Sequence, residues 1–119
     1  MAAINIIPYL KTTSTAAGTT TIDHDYTVPA SKRWIVDYIE IILSVANANN
    51  DIDIKVSDSG GAYANIIPQF DNVNYSGVHL SSYFPRAIEL EASDVLRIEF
   101  TRGTSTTVQS NIYLIERDI

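Results

Sequence analysis

Cysteine is absent from this 119-residue chain. That excludes a disulfide scaffold, thiolate zinc sites, iron–sulfur clusters and a cysteine nucleophile. Basic residues are few: Lys11, Lys32, Arg33, Lys55, Arg86, Arg97, Arg102 and Arg117 are scattered among fourteen carboxylates, for a net charge of -6. Such a surface does not attract phosphate, so nucleic acid is not an expected partner. Long apolar runs are missing as well, the best candidates being broken by Asp37, Glu40 or Asn65. None approaches the roughly eighteen residues that a spanning helix needs, so no membrane partner is expected. The N-terminal residues lack a charge before Lys11 and are interrupted by Asn5 and Pro8, unlike a secretory signal. The expectation is a soluble protein made in a cytoplasm. Leucine, lysine and glutamate, the usual helix formers, are scarce.

What remains is rich in isoleucine, threonine and tyrosine, side chains that suit a pleated, half-buried surface. With 45% hydrophobic and 18% charged residues the chain has the composition of a folded domain, and its length fits one. Its dominant period is two. Ile52, Ile54 and Val56 alternate with Asp51, Asp53 and Lys55; Leu96, Ile98 and Phe100 alternate with Arg97 and Glu99. Further strands are expected over 20–28, 33–45, 62–70, 75–80, 86–90 and 106–117, with turns at 29–31, 47–50, 57–61, 71–72 and 102–104. About eight short strands predict an all-β fold, an antiparallel β-sandwich of jelly-roll type, with an immunoglobulin-like sandwich as the alternative.

Two segments carry an apolar surplus. Residues 1–20 are read as an N-terminal arm and linker ahead of a sandwich domain over 21–119: Ile4, Ile6, Ile7, Tyr9 and Leu10 cluster around Pro8 and are followed by a small polar stretch. An edge strand with a long loop is the other reading. In residues 33–45 the odd positions Ile35, Ile39, Ile41, Leu43 and Val45 form a core face, while Trp34, Val36, Tyr38 and Ile42 make a second one. A sandwich strand needs only one. The second face requires a covering loop, a bulge that exchanges the faces, or another subunit; contiguous exposed apolar surface marks association sites.

Candidates for chemistry are sparse. His24 stands between Asp23 and Asp25, which alternation turns to the opposite face, and is read as a position on a surface strand. Nothing near His79 resembles a catalytic elbow or a metal-binding helix. Asp51 and Asp53 lack the spacing of a calcium loop and are read as a solvated acidic edge. No catalytic, metal or cofactor site is expected, and the chain is not read as an enzyme.

Two stretches, Tyr26-Thr27-Val28-Pro29-Ala30-Ser31-Lys32-Arg33-Trp34-Ile35-Val36 and Leu90-Glu91-Ala92-Ser93-Asp94-Val95-Leu96-Arg97-Ile98, carry a family likeness. They resemble a pattern in small β-sandwich proteins of tailed bacteriophages, particularly head decoration or cement proteins and related tail modules. Ser31 and Ser93 stand where glycine is common in that pattern, implying turns that do not demand a positive φ. The resemblance implies a jelly-roll-like subunit, often trimeric, on the outer surface of a phage capsid with the major capsid protein as its partner. On that reading Ile4, Ile6, Ile7, Tyr9 and Leu10 contact the capsid or a neighbouring subunit, and Trp34, Val36, Tyr38 and Ile42 form a homo-oligomer interface. The alternative is a tail or fibre module that binds host glycans through tyrosines such as Tyr63, Tyr75 and Tyr83.

Overall fold

Residues Thr106 to Asp118 run as one thirteen-residue strand, and half of the sandwich is assembled on it. The computed structural model describes residues 6–44, 50–66, 77–79 and 88–119. Among them are nine strands and no helix: β1 (Ile6–Gly18), β2 (Ile22–Thr27), β3 (Lys32–Leu43), β4 (Asn50–Ser57), β5 (Tyr63–Asn65), β6 (Gly77–His79), β7 (Ile88–Leu90), β8 (Val95–Arg102) and β9 (Thr106–Asp118). All pairings are antiparallel. The first strand pairs with the last, β2 with β8, β3 with both β6 and β7, and β4 with β5. Such nested pairing is a long antiparallel ribbon rolled into two sheets, the jelly roll. One sheet runs β1-β9-β3 and continues into β6 and β7 along the far side of β3; the other runs β2-β8-β4-β5.

Strands β2 to β9 correspond to the eight expected from periodicity. The ninth, β1, overturns the reading of residues 1–20 as an arm and linker. Ten of its residues, Ile6 to Thr15, hold unbroken register with β9 before the register shifts between Thr15 and Gly18. Its polar half packs through hydroxyls: Thr12 donates to Asn111 Oδ1 at 2.8 Å, and Thr15 Oγ1 lies 2.8 Å from His24 Nε2. Ile4 lies outside the described residues, as do the side chains of Ile6 and Ile7.

The second correction concerns β3. Its pairing with β9 slips by one residue between Val36 and Tyr38, so that Asp37 is a β-bulge. Before it the even residues face inward and after it the odd ones do. Trp34 and Val36 therefore lie fully buried in the core together with Ile39, Ile41 and Leu43, and neither can serve an oligomer interface. Tyr38 and Ile42 stay on the outside. The opposing sheet closes the core with Ile52, Ile54, Leu96, Ile98 and Phe100.

His24, expected on the surface, is only 1% exposed. Alternation did turn Asp23 and Asp25 outward, and it turned the imidazole in. There Nδ1 lies 2.8 Å from Ser110 Oγ, whose backbone carbonyl accepts from Tyr26 at 3.0 Å, and the ring meets Phe100 edge-on. Asp51 and Asp53 do not form an edge: β4 runs between β8 and β5, and Asp53 is 7% exposed, accepting from Asn65 Nδ2 at 2.8 Å.

The two ends of the sandwich are tied differently. At one, the buried Arg102 guanidinium donates to the carbonyls of Ala16, Thr20 and Thr106. At the other, the two segments that carry the family likeness are hydrogen-bonded to each other, Val28 N to Asp94 O at 2.9 Å and Ser93 N to Val28 O at 3.0 Å. Here Ser31 and Ser93 have φ of 63° and 71°, so these turns do demand the left-handed conformation and serine adopts it in place of glycine. A left-handed L-residue costs about 1–2 kcal/mol, part of which the greater unfolded-state freedom of glycine offsets. Ser31→Gly and Ser93→Gly should each add about 0.5–1 kcal/mol of stability, read as a higher urea midpoint at unchanged slope. A midpoint that stays put or falls would show that the serines relieve their own strain.

Burial first, and then the charge of Arg102, hold the pKa of His24 below its ordinary value of 6.5, with Asp25 opposing. Between the lowered folded value and 6.5 the unfolded chain binds the proton more readily, so stability is complete above 6.5 and falls as pH drops below it. The slope for one proton is at most about 1.4 kcal/mol per pH unit. The stability difference between the wild type and His24→Gln should be constant above pH 7 and change as pH falls to 5, the subtraction removing other titrating groups. A difference that is flat across this range would contradict a neutral buried imidazole.

Candidate interaction surface

The outer faces of the two sheets are chemically unlike. On the four-stranded sheet the charges satisfy one another. Arg97 is clamped by both oxygens of Asp25 at 2.8 and 2.9 Å, reaches Asp23 at 3.5 Å and lies over the Tyr63 ring at 3.7 Å. This pairing holds the guanidinium firmly charged. Lys55 pairs with Glu99 at 3.2 Å. Tyr63, a candidate for stacking on a sugar, thus already carries a guanidinium on its ring. Tyr75 and Tyr83 lie outside the described residues.

The five-stranded sheet presents the apolar surplus. Register lays its outer residues in rows across β1, β9, β3 and the β6/β7 side. One row holds Ile115, Ile35 and Glu89; the next Leu10, Tyr113 and Tyr38; the next Thr12, Asn111 and Glu40; the last Ser14, Gln109 and Ile42. Leu10 is 54% exposed, Ile42 42% and Tyr113 38%. Tyr38 and Tyr113 meet edge-to-face with ring centroids 5.2 Å apart, an arrangement that fixes both rings. Partial burial first, then Glu40 and Tyr113, raise the pKa of Tyr38 above 10.0, so its phenol stays neutral. Asn111 organises the polar row: it accepts from Thr12 and Gln109 and donates to Glu40 Oε1 at 2.8 Å.

The bulge adds relief to this face. Beside Asp37 lies a groove of about 460 Å³, bounded by Tyr9, Leu10, Tyr113, Leu114 and Ile115. Its lining joins Leu10, from the segment expected to be an arm, to three residues of β9 that the sequence reading did not single out. Leu10 from β1 and Tyr38 from β3, expected at separate contacts, meet through Tyr113. The signal for these residues was present: Ile112-Tyr113-Leu114-Ile115 is apolar on both faces, as residues 34–42 are.

Contiguous exposed apolar side chains are features that commonly mark association sites. For catalysis the arrangement holds little. Both nitrogens of His24 are occupied inside the core, and among the described residues no group of three or more His, Asp or Glu side chains could hold a metal ion. No protein-family model matches the chain and no curated protein matches it.

Proposed function

We propose that the chain is a structural virion protein, a capsid decoration or cement subunit that seats the outer face of its five-stranded sheet on the major capsid protein of a phage head. The observation that carries the reading is the asymmetry of the sandwich: one sheet face is closed by its own ion pairs, while the other exposes Leu10 and Tyr113 beside a groove and Ile42 two rows away. The resemblance of residues 26–36 and 90–98 to phage decoration proteins supports the choice of partner. Leu10, from the residues expected at a capsid contact, and Tyr38 and Ile42, which remain for a homo-oligomer interface, share this face, so one partner covers them, and we assign it to the shell. Assembly into the trimer that the resemblance implies then uses other surfaces.

The action is mechanical. A subunit bound across a joint between shell proteins adds its binding free energy to the closed state alone, and so resists any force that opens the joint. Burying a large apolar side chain contributes roughly 1.5–3 kcal/mol, so a few such contacts per copy, repeated over a shell, are sufficient. No reaction and no cofactor enter this mechanism.

In particles purified from the virus that encodes the chain, quantitative mass spectrometry should find it in a fixed ratio to the main shell protein. A few copies per particle, or none, would overturn the decoration role. Leu10→Asp and Ile42→Asp should each weaken binding to stripped particles at least tenfold, whereas Thr101→Asp on the other sheet should not. Binding that survives both changes on the five-stranded sheet would move the contact elsewhere.

A further inference from the structure

The row beyond Ile115 and Ile35 on the same face places Arg117 directly opposite Arg33. Like charges paired across strands repel. In a chain with fourteen carboxylates, two of its eight cations are nevertheless set side by side. Arg33 reaches one exposed partner, Glu91, at 3.2 Å. Among the described residues Arg117 has none, and its Nε is shut away from solvent without an acceptor. The contrast with the other described arginines is sharp, since Arg97 holds a bidentate carboxylate and Arg102 several carbonyls. Two like charges side by side, one of them without a carboxylate among the described residues, favour an anion supplied from outside the molecule. Guanidinium groups are suited to carboxylates, which they grip in a planar, two-pronged fashion.

The position of this pair matters as much as its charge. Arg117 and Ile115 point to the same side of β9 two residues apart, about 7 Å by strand geometry, and Ile115 borders the groove. We infer that the partner segment crossing this face is an extended acidic–apolar stretch of protein, whose Asp or Glu carboxylate lies on Arg117 and Arg33 and whose neighbouring large apolar side chain enters the groove. A second copy of this chain does not fit: stacked with its rows aligned it would set arginine against arginine, and reversed along the strands it would lay them on the row of Ser14 and Gln109. The inference rests on the capsid reading for the identity of the partner, and names the chemistry that the shell must present.

The experiment compares wild type, Arg117→Gln, Arg117→Glu and Arg33→Glu for uptake by stripped particles at low and raised salt, together with their urea unfolding. The carboxylate contact requires that Arg117→Glu and Arg33→Glu lose at least tenfold in binding and most of the salt dependence. It also requires that Arg117→Gln bind more weakly while folding as well as the wild type or better, because its loss relieves repulsion and breaks no internal bond. Equal binding by all four proteins would overturn the acidic partner while leaving the decoration role intact. Failure of the wild type itself to bind would remove both. A marked fall in the unfolding midpoint of Arg117→Gln would make Arg117 a member of the fold and end the proposal.

Discussion

One extra residue in β3 decides what this molecule hides and what it shows. Opposite a regular β9, Asp37 shifts the pairing by a single step, and a shift by one residue exchanges the two faces of a strand. Without it the chain from Trp34 to Leu43 could not bury Trp34 and Val36 together with Ile39, Ile41 and Leu43. With it, every one of those side chains is fully buried, and only Ile35, Tyr38 and Ile42 remain as apolar groups on the outside. The same step opens the groove beside Asp37, since the bulged residue turns away from the ladder and leaves Tyr113 and Leu10 as its walls. Core and exposed apolar surface are therefore set by one local feature, and the strand whose two faces are both apolar in sequence keeps only Ile35, Tyr38 and Ile42 outside.

The polar groups divide the molecule along the same line. Inside, His24, Ser110 and Tyr26 form a satisfied network that bridges the sheets, and Thr15 joins it from the edge strand. Each group there would be costly unpaired in a low-dielectric interior. On the four-stranded sheet the charges neutralise one another within hydrogen-bonding distance. Among the described residues, only the five-stranded sheet combines exposed apolar rings with a guanidinium that has no carboxylate partner. Surfaces evolved merely for solubility place charges in water and keep large apolar groups scattered; this face does the opposite on both counts.

Much of the fold could be read directly from alternation. Strands such as β4 and β8 announce themselves because each residue there has one role, inward or outward, and the pleat converts that into a period of two. Where the reading failed, a residue had a role that alternation does not encode. The bulge at Asp37 is a register event between strands more than seventy residues apart, and nothing in residues 33–45 distinguishes it from a doubly apolar strand. Thr12 to Thr15 look unfit for a core because they have no apolar payload, yet an edge strand needs a backbone ladder and a few hydroxyl contacts. His24 was misplaced by the company of its neighbours: two exposed aspartates on a strand argue for an inward residue between them. Ser31 and Ser93 were judged by side-chain identity when the constraint was on φ, which the backbone imposes and serine tolerates at a cost. The contact face was half legible, because Leu10, Tyr38 and Ile42 carry visible surplus, but their meeting point on β9 exists only once β1 and β3 are paired to either side of it.

That β1 is a strand and not an arm also changes the physics of association. A flexible arm would lose about 1–2 kcal/mol of backbone entropy for each residue it orders on docking, and its apolar contacts would first have to offset that loss. Here the ordering has already occurred during folding: Leu10 is held by ten residues of continuous ladder, and Tyr113 is braced against Tyr38. The whole of the apolar contact energy is then available to the complex. A preformed face also resists gradual peeling, because no residue on it can detach without breaking the sheet that carries it. For the proposed role of holding a joint closed under load, rigidity of the contact surface is a requirement in its own right, and the sandwich provides it by placing that surface on three adjacent strands and not on a loop or tail.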